Sequence, residues 1–326
     1  MRRKRKHWLR AILYIGLVIV IGFAIYQVRA AYIKAEAAKA AEAKAEAKRK
    51  EEARKKKNEW VKKDGKSYYY GADGKVVTGR FIQGKKIYYA DDSGEVTRVV
   101  DGTKPMVAIS YDDGPSKFTD EFVELFEEND SAATFFEVGQ RIDDFKEEAQ
   151  AIANSHCELA NHTYVHQNLT KVSVSGMKKQ INKCNRKLRE LGEETDPILV
   201  RPPEGAVNDT VRENLQAPIL LWSIDTLDWK SRNADSVYKK ATTNVKDGDI
   251  ILMHSLYEST LEASKRVVPE LIDQGYQLVT ITDLAEFRGG LENGVTYFNI
   301  KPLEEKEQGE EAKQEETKKE ETTEEE

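Results

Sequence analysis

Between residues 104 and 289 short apolar runs alternate with longer amphipathic ones. MVAISY (106–111), AATFFEV (132–138), CELANH (157–162), ILVRP (198–202), ILLWSI (219–224), DIILMHS (249–255) and YQLVTI (276–281) have the length and apolar content of buried strands. Between most of them lie helical patterns such as SVSGMKKQINKCNRKLREL (173–191), with Ser173 placed as its N-cap. Apolar strands alternating with amphipathic helices predict an α/β fold, a parallel sheet with helices outside. About seven strand–helix units point to a barrel of the TIM kind, with an open sheet as the alternative.

Outside this region the patterning changes. Residues 58–100 repeat an aromatic motif: Trp60, Asp64-Gly65, Tyr68-Tyr69-Tyr70, then Phe81, Gly84-Lys85, Tyr88-Tyr89. Glycine turns between aromatic runs predict two short β-hairpins. They resemble the aromatic cell-wall-binding repeats of Gram-positive surface proteins, with a plain hairpin spacer as the alternative. Residues 29–57 are nearly all strong helix formers without a wide apolar stripe, a solvated stalk. Residues 11–28, AILYIGLVIVIGFAIYQV, carry no charge and follow the basic segment MRRKRKHWLR (1–10). A run near 20 residues suits a transmembrane helix better than a cleaved signal, and the positive flank stays cytoplasmic. The expectation is a single-pass membrane protein whose bulk is extracellular.

Charge removes one class of partner. The tail 304–326 holds twelve Glu against four Lys, −8, while the whole chain is −6, so the remainder is near neutral. The acidity therefore describes a disordered tail, and nothing suggests nucleic acid as a partner. Cys157 and Cys184, the only two cysteines, permit one disulfide outside the cell or two buried thiols.

The strand ends carry the chemistry. Asp112 and Asp113 close the first, and His162 and His166 follow the third in NHTYVH. Arg201 ends the fourth in RPPEG, Asp225, Asp228 and Trp229 end the fifth in DTLDW, and His254 ends the sixth in LMHS. Two histidines four apart on one helical turn can face one metal, and a carboxylate from elsewhere completes three ligands. Two adjacent aspartates then make sense: Asp113 joins the histidines on a divalent cation, and Asp112 stays free as a base. A pair that merely caps the next helix is the structural alternative.

These five segments, SYDDGP, NHTYVH, RPPEG, DTLDW and LMHS, occur in the order of the motifs of the polysaccharide deacetylases (NodB homology domain, carbohydrate esterase family 4). The resemblance covers 104–289 and implies a distorted (β/α)7 barrel. By position it implies Asp112 as general base, Asp113, His162 and His166 as metal ligands, and His254 as the acid for the leaving amine. It further implies that Arg201 holds the base and that Asp225 pairs with the catalytic histidine. Trp229 and Leu252 would then line the acetyl pocket. Glu204 departs from the family's usual Tyr or Phe, turning an aromatic groove wall into a carboxylate. Cys157 lies where the family often has His or Asn, and a bond to Cys184 would tie the third strand to the following helix.

The resemblance implies a metal-dependent hydrolase that removes N-acetyl groups from an external polysaccharide. Peptidoglycan N-acetylglucosamine is the most accessible substrate for a membrane-anchored monomer on a Gram-positive-like surface. Poly-N-acetylglucosamine, chitin oligomers and acetyl-xylan are alternatives, as is a silent glycan-binding module. His₂Asp ligation with an open site suits zinc, with cobalt, nickel or manganese also compatible.

Overall fold

The structure is a computed structural model that describes residues 27, 29–49 and 57–303. The expected anchor at 11–28, apart from residue 27, and the acidic tail lie outside the described residues. No helix among the described residues is long and apolar enough to cross a membrane. Residues 29–49 are helical and exposed along their length. The rest divides into two compact units, one containing residues up to 79 with 90–96, the other containing 80–89 with everything from 97 onward.

In the first unit β1 (Glu59–Lys63) pairs antiparallel with β2 (Lys66–Tyr70), Lys63 opposite Lys66. The two residues between them, Asp64 and Gly65, both have positive φ, 51° and 80°, which is the turn that matches strand twist. Trp60 packs on Tyr69 with ring centroids 5.1 Å apart.

The second hairpin has a different fate. β3 (Gly79–Gln83), β4 (Lys86–Ala90) and β5 (Val96–Asp101) form a three-stranded sheet. Ile87 and Val100 are buried in an apolar cluster with Met106, Ala108, Ile250 and Leu284. Arg80, Tyr89 and Arg98 converge on the fully buried Asp283: Arg80 Nε lies at 3.1 Å, Arg98 Nη1 at 3.6 Å, and the Tyr89 hydroxyl donates to Oδ2. The repeat segment 58–100 therefore divides, its second half built into the larger unit.

That unit is organised on a parallel sheet in the order β10 (Ile224–Asp225), β11 (Ile250–His254), β6 (Met106–Asp112), β7 (Thr134–Glu137), β8 (Glu158–Asn161). All seven residues of β6 are buried, as a strand covered on both faces requires. β12 (Gln277–Leu278) pairs with the start of β6, and β7 pairs with its end. The expected strand at 198–202 shrinks to single parallel bridges from Val200 to Asn161 and Ile219. Pro197 and Pro202-Pro203 flank it, and a proline has no N–H to give a ladder. β13 (Thr296–Tyr297), which the apolar pattern did not announce, pairs with β9 (Ile219–Leu220).

Helices cover the sheet for the reason their spacing suggests. Ser173 Oγ accepts from Gly176 N at 3.1 Å, and the helix Val174–Glu190 buries Met177, Ile181, Cys184 and Leu188. Tyr111 on β6 stacks on Phe135 and meets Phe122 at 4.6 Å. Phe122 is fully buried, and its loss to alanine would cost roughly 3–5 kcal/mol.

Both cysteines are free, so the disulfide open on sequence grounds does not form. Cys184 Sγ donates to the carbonyl of Glu137 at the end of β7, whereas Cys157 sits beside Ala133 at its start. Four residues of strand separate those points, roughly 13 Å, while a disulfide needs Cα atoms within about 7 Å. Burial pushes the Cys157 thiol up to about 11 and raises the Cys184 thiol as well.

Candidate active site

Five parallel strands end on polar residues at one edge of the sheet: Asp112, Glu137, Asn161, Asp225 and His254. In the β6–β11 register His254 stands directly opposite Asp112. A strand points successive side chains to opposite faces, so Asp113 would turn away if β6 continued. Its φ of 70° breaks that alternation, and both carboxylates line one pocket. The next residue is a close-packed glycine: a Cβ at Gly114 would lie 2.6 Å from Ser255 Oγ and 2.8 Å from both Glu137 carboxyl oxygens, so those side chains would have to shift.

Asp112 is nearly buried, and Arg201, fully buried, donates from Nη1 to its Oδ1 at 2.7 Å. Arg201 Nε and Nη2 donate to the carbonyls of Leu220 and Leu221 at 3.0 Å each, and its guanidinium lies 4.0 Å from the centre of the Phe136 ring. The base expected at Asp112 thus has a fixed cation on one oxygen and the pocket on the other side.

Asp113, His162 and His166 present ligand atoms within 4.8 Å of one another. His162 Nδ1 lies 2.7 Å from the Arg201 carbonyl, which can only accept, so Nδ1 carries the hydrogen and Nε2 keeps its lone pair. That Nε2 is 3.4 Å from Asp113 Oδ1, and His166 Nε2 is 3.1 Å from the same oxygen. Asp113 Oδ1 is buried without a hydrogen-bond donor of its own. Burial alone would raise the Asp113 carboxyl; contact with the two imidazoles reverses this and holds it far below the carboxylate range. The same contact with Asp113 raises His166. Two imidazole nitrogens crowding one orphaned carboxylate oxygen fit a divalent cation. The histidines do not share a helical turn, however. Thr163 and His166 have φ of 68° and 53°, and the loop is tied by Asn161 Oδ1 accepting from Thr163 N at 2.7 Å.

His254 is oriented by Asp228, not by Asp225. Its Nδ1 donates to Asp228 Oδ1 at 2.8 Å and its backbone N to Oδ2 at 2.8 Å. Thr260 Oγ1 and Trp229 N also donate to Asp228, which has no exposure. Asp225 instead accepts from Leu227 N at 2.8 Å. The physical reason is local: Leu227 takes φ 52°, so the chain doubles back and brings Asp228, at the start of the helical turn Asp228–Ser231, under the histidine. Burial works against charge on His254, yet the hydrogen bond and charge of Asp228 outweigh it, and its pKa is raised.

The pocket encloses about 510 Å³. Trp229 and Leu252, expected beside the acetyl group, both line it, and so does Glu204. Glu204 occupies a left-handed turn, φ 63°, and accepts from Asn168 Nδ2 at 2.6 Å. A Cβ at Gly205 would meet Trp222 at 2.8 Å, so the indole closes against this turn. Trp222, Arg232 and Tyr257 complete the lining and carried no motif of their own. Glu137 was also missed: it is fully buried, neither carboxyl oxygen has a partner, and burial together with Asp112 and Asp113 pushes it well above the usual range despite Arg141.

Known proteins resemble this chain over the same region. The family model for polysaccharide deacetylase matches residues 100–217, and that for the choline-binding repeat matches 57–99. The peptidoglycan-N-acetylmuramic acid deacetylase PdaC of Bacillus subtilis is 33% identical over 190 residues, 58% of this chain and 40% of that protein. The chain thus spans well under half the length of that relative. A peptidoglycan-N-acetylglucosamine deacetylase of Bacillus cereus is 31% identical over 191 residues, 56% of this chain and 68% of the relative. The solved structure of the Bacillus subtilis enzyme superposes with a TM-score of 0.55 at 34% identity, over 57% of this chain and 93% of that one. With its strand-end carboxylates and histidines gathered in one pocket, the chain belongs to the polysaccharide deacetylase family.

Proposed function

We propose that the chain is a metal-dependent deacetylase of a cell-wall polysaccharide, acting on N-acetylglucosamine of peptidoglycan. The observation that carries this reading is the pairing of Asp112 with His254 across β6 and β11, each oriented by a buried partner, beside the Asp113–His162–His166 cluster. Asp113, His162 and His166 would hold the cation, zinc by donor type, which when bound polarises the acetyl carbonyl and acidifies water. Asp112, oriented by Arg201, takes a proton from the attacking water. As the water oxygen bonds to the carbonyl carbon, a backbone N–H of the RPPEG turn would meet the developing oxyanion, and Glu204, the first residue after two prolines, can supply one. The C–N bond then breaks, and His254 gives its Nε2 proton to the nitrogen, so acetate and a neutral amine leave. Leu252 and Trp229 supply the apolar wall for the methyl group.

The finer organisation belongs to the same proposal. The parallel order carried on through Val200 to β9 supports a distorted (β/α)7 barrel. The charge-free run 11–28 behind a basic N-terminus supports a membrane-anchored, extracellular monomer. Acetate release from purified peptidoglycan and from N-acetylglucosamine oligomers, with zinc, tests the reading. Release should stop with chelator and with Asp112→Asn; release that survives both would sink it.

A further inference from the structure

Arg232 is the sole lysine or arginine among the residues lining the pocket, whose other charges are carboxylates and imidazoles. It ends the helical turn Asp228–Ser231 at φ 49°, ψ 33°, a left-handed position that glycine or asparagine fills at lower cost. An arginine held there implies use of its side chain. Two contacts fix the guanidinium plane: Nε donates to the Trp229 carbonyl at 2.8 Å, and the group lies over the Tyr257 ring, 3.2 Å from its centroid. Neither contact neutralises the charge. No carboxylate among the described residues lies within ion-pair distance of it, and the side chain is exposed. A guanidinium held through Nε presents its terminal N–H groups to a planar anion, beside the Tyr257 hydroxyl that they also reach.

We propose that Arg232 is a specificity residue that binds a carboxylate carried by the glycan, on the sugar next to the one being deacetylated. This rests on the proposed function, since it identifies a feature of that substrate. Peptidoglycan offers such a carboxylate in two places, the lactyl ether of its muramic acid or the attached peptide, while chitin oligomers offer none. Arg232 therefore selects wall glycan over neutral N-acetylglucosamine polymer by charge. It leaves the hydrolytic groups untouched, because it joins the site through Trp229 and Tyr257 and contacts neither Asp112 nor His254.

The test compares Arg232→Asn, which keeps the left-handed turn and removes the charge, with Arg232→Lys. Three substrates are used: peptide-free muramic acid tetrasaccharide, the same sugar with its stem peptide, and N-acetylglucosamine tetramer. Losing a charge-assisted hydrogen bond predicts about a tenfold rise in KM on the carboxylate-bearing glycans, with kcat preserved. The neutral tetramer should change by less than about twofold, and Arg232→Lys should restore part of the loss. A loss confined to the peptide-bearing substrate assigns the carboxylate to the peptide. Equal losses on neutral and charged glycans would overturn the proposal. Quenching of Trp222 and Trp229 fluorescence in Asp112→Asn, with and without Arg232→Asn, reads binding without turnover. If Arg232→Asn leaves the affinity for both acidic glycans unchanged, the proposal fails even where acetate is released. If neither glycan is deacetylated but affinity for the acidic one falls, the deacetylase reading fails and the Arg232 site stands.

Discussion

Two corners of one pocket pair histidine with aspartate, and they are built for opposite ends. At the Asp113 corner two imidazole nitrogens share one carboxylate oxygen that has no other donor. At the Asp228 corner the carboxylate is saturated, taking hydrogens from His254 Nδ1, His254 N, Trp229 N and Thr260 Oγ1. The first arrangement turns two imidazole nitrogens and a carboxylate oxygen on one point, as a cation site requires. The second fixes one tautomer and keeps a proton on the histidine. The number of donors around the carboxylate, and not the residue types, separates a metal ligand from a positioning group.

The sharpest way to break the contrast is Asp228→Asn, which keeps the shape and removes the charge. General acid catalysis contributes about 10²–10⁴-fold, so kcat should fall by at least about 100-fold with KM nearly unchanged. Asp225→Asn, whose carboxylate caps a turn at the pocket wall and does not hold His254, should cost less than about tenfold; equal losses from the two would undo the assignment of Asp228. His166→Ala, at the other corner, should raise the metal dissociation constant beyond the roughly 10–100-fold typical of losing an outer-shell partner, as calorimetry with zinc would read. A smaller effect is on pH. Because the pKa of His254 is raised above 6.5, its acid form persists past that value and is lost as pH climbs through the raised one. The alkaline limb of kcat should thus lie above pH 6.5 and drop when Asp228 loses its charge.

The smallest effect on turnover is expected from Glu158, buried away from both corners, and it makes a control. Burial pushes this carboxyl up to about 7 from an ordinary 4.5, against the hydrogen bonds of Thr282 and Thr134. The folded chain keeps a proton there that the unfolded chain has released, so stability falls as pH rises between those values. Glu158→Gln should flatten that slope, worth on the order of 3 kcal/mol at most, and leave acetate release unchanged. Denaturant midpoints at pH 5 and pH 8 would show it.

Much of this was legible beforehand, because β6, β7, β8 and β11 are continuous apolar runs that stop on a charged or polar residue. What escaped depended on single dihedrals. Whether Asp225 or Asp228 meets His254 turns on φ at Leu227, a leucine in a conformation that its side chain does not advertise. His162 and His166 are four apart, yet left-handed residues at 163 and 166 replace the helical turn that spacing suggests. The two hairpins looked alike because their aromatic spacing is alike. The difference lies in Asp283, some 200 residues later in the chain, to which Arg80, Tyr89 and Arg98 reach.

That last contact moves the place where the chain can be cut. The family match begins at residue 100, which invites trimming there. Such a truncation would delete Ile87 from the apolar cluster and strip Arg80, Tyr89 and Arg98 from Asp283, leaving an unpaired carboxylate in the interior. A cut upstream of Arg80 would spare those partners, whereas one between Gln83 and Lys86 would detach Arg80 and β3 from the chain that carries Asp283. Keeping and losing that buried contact would then differ by fewer than ten residues of chain.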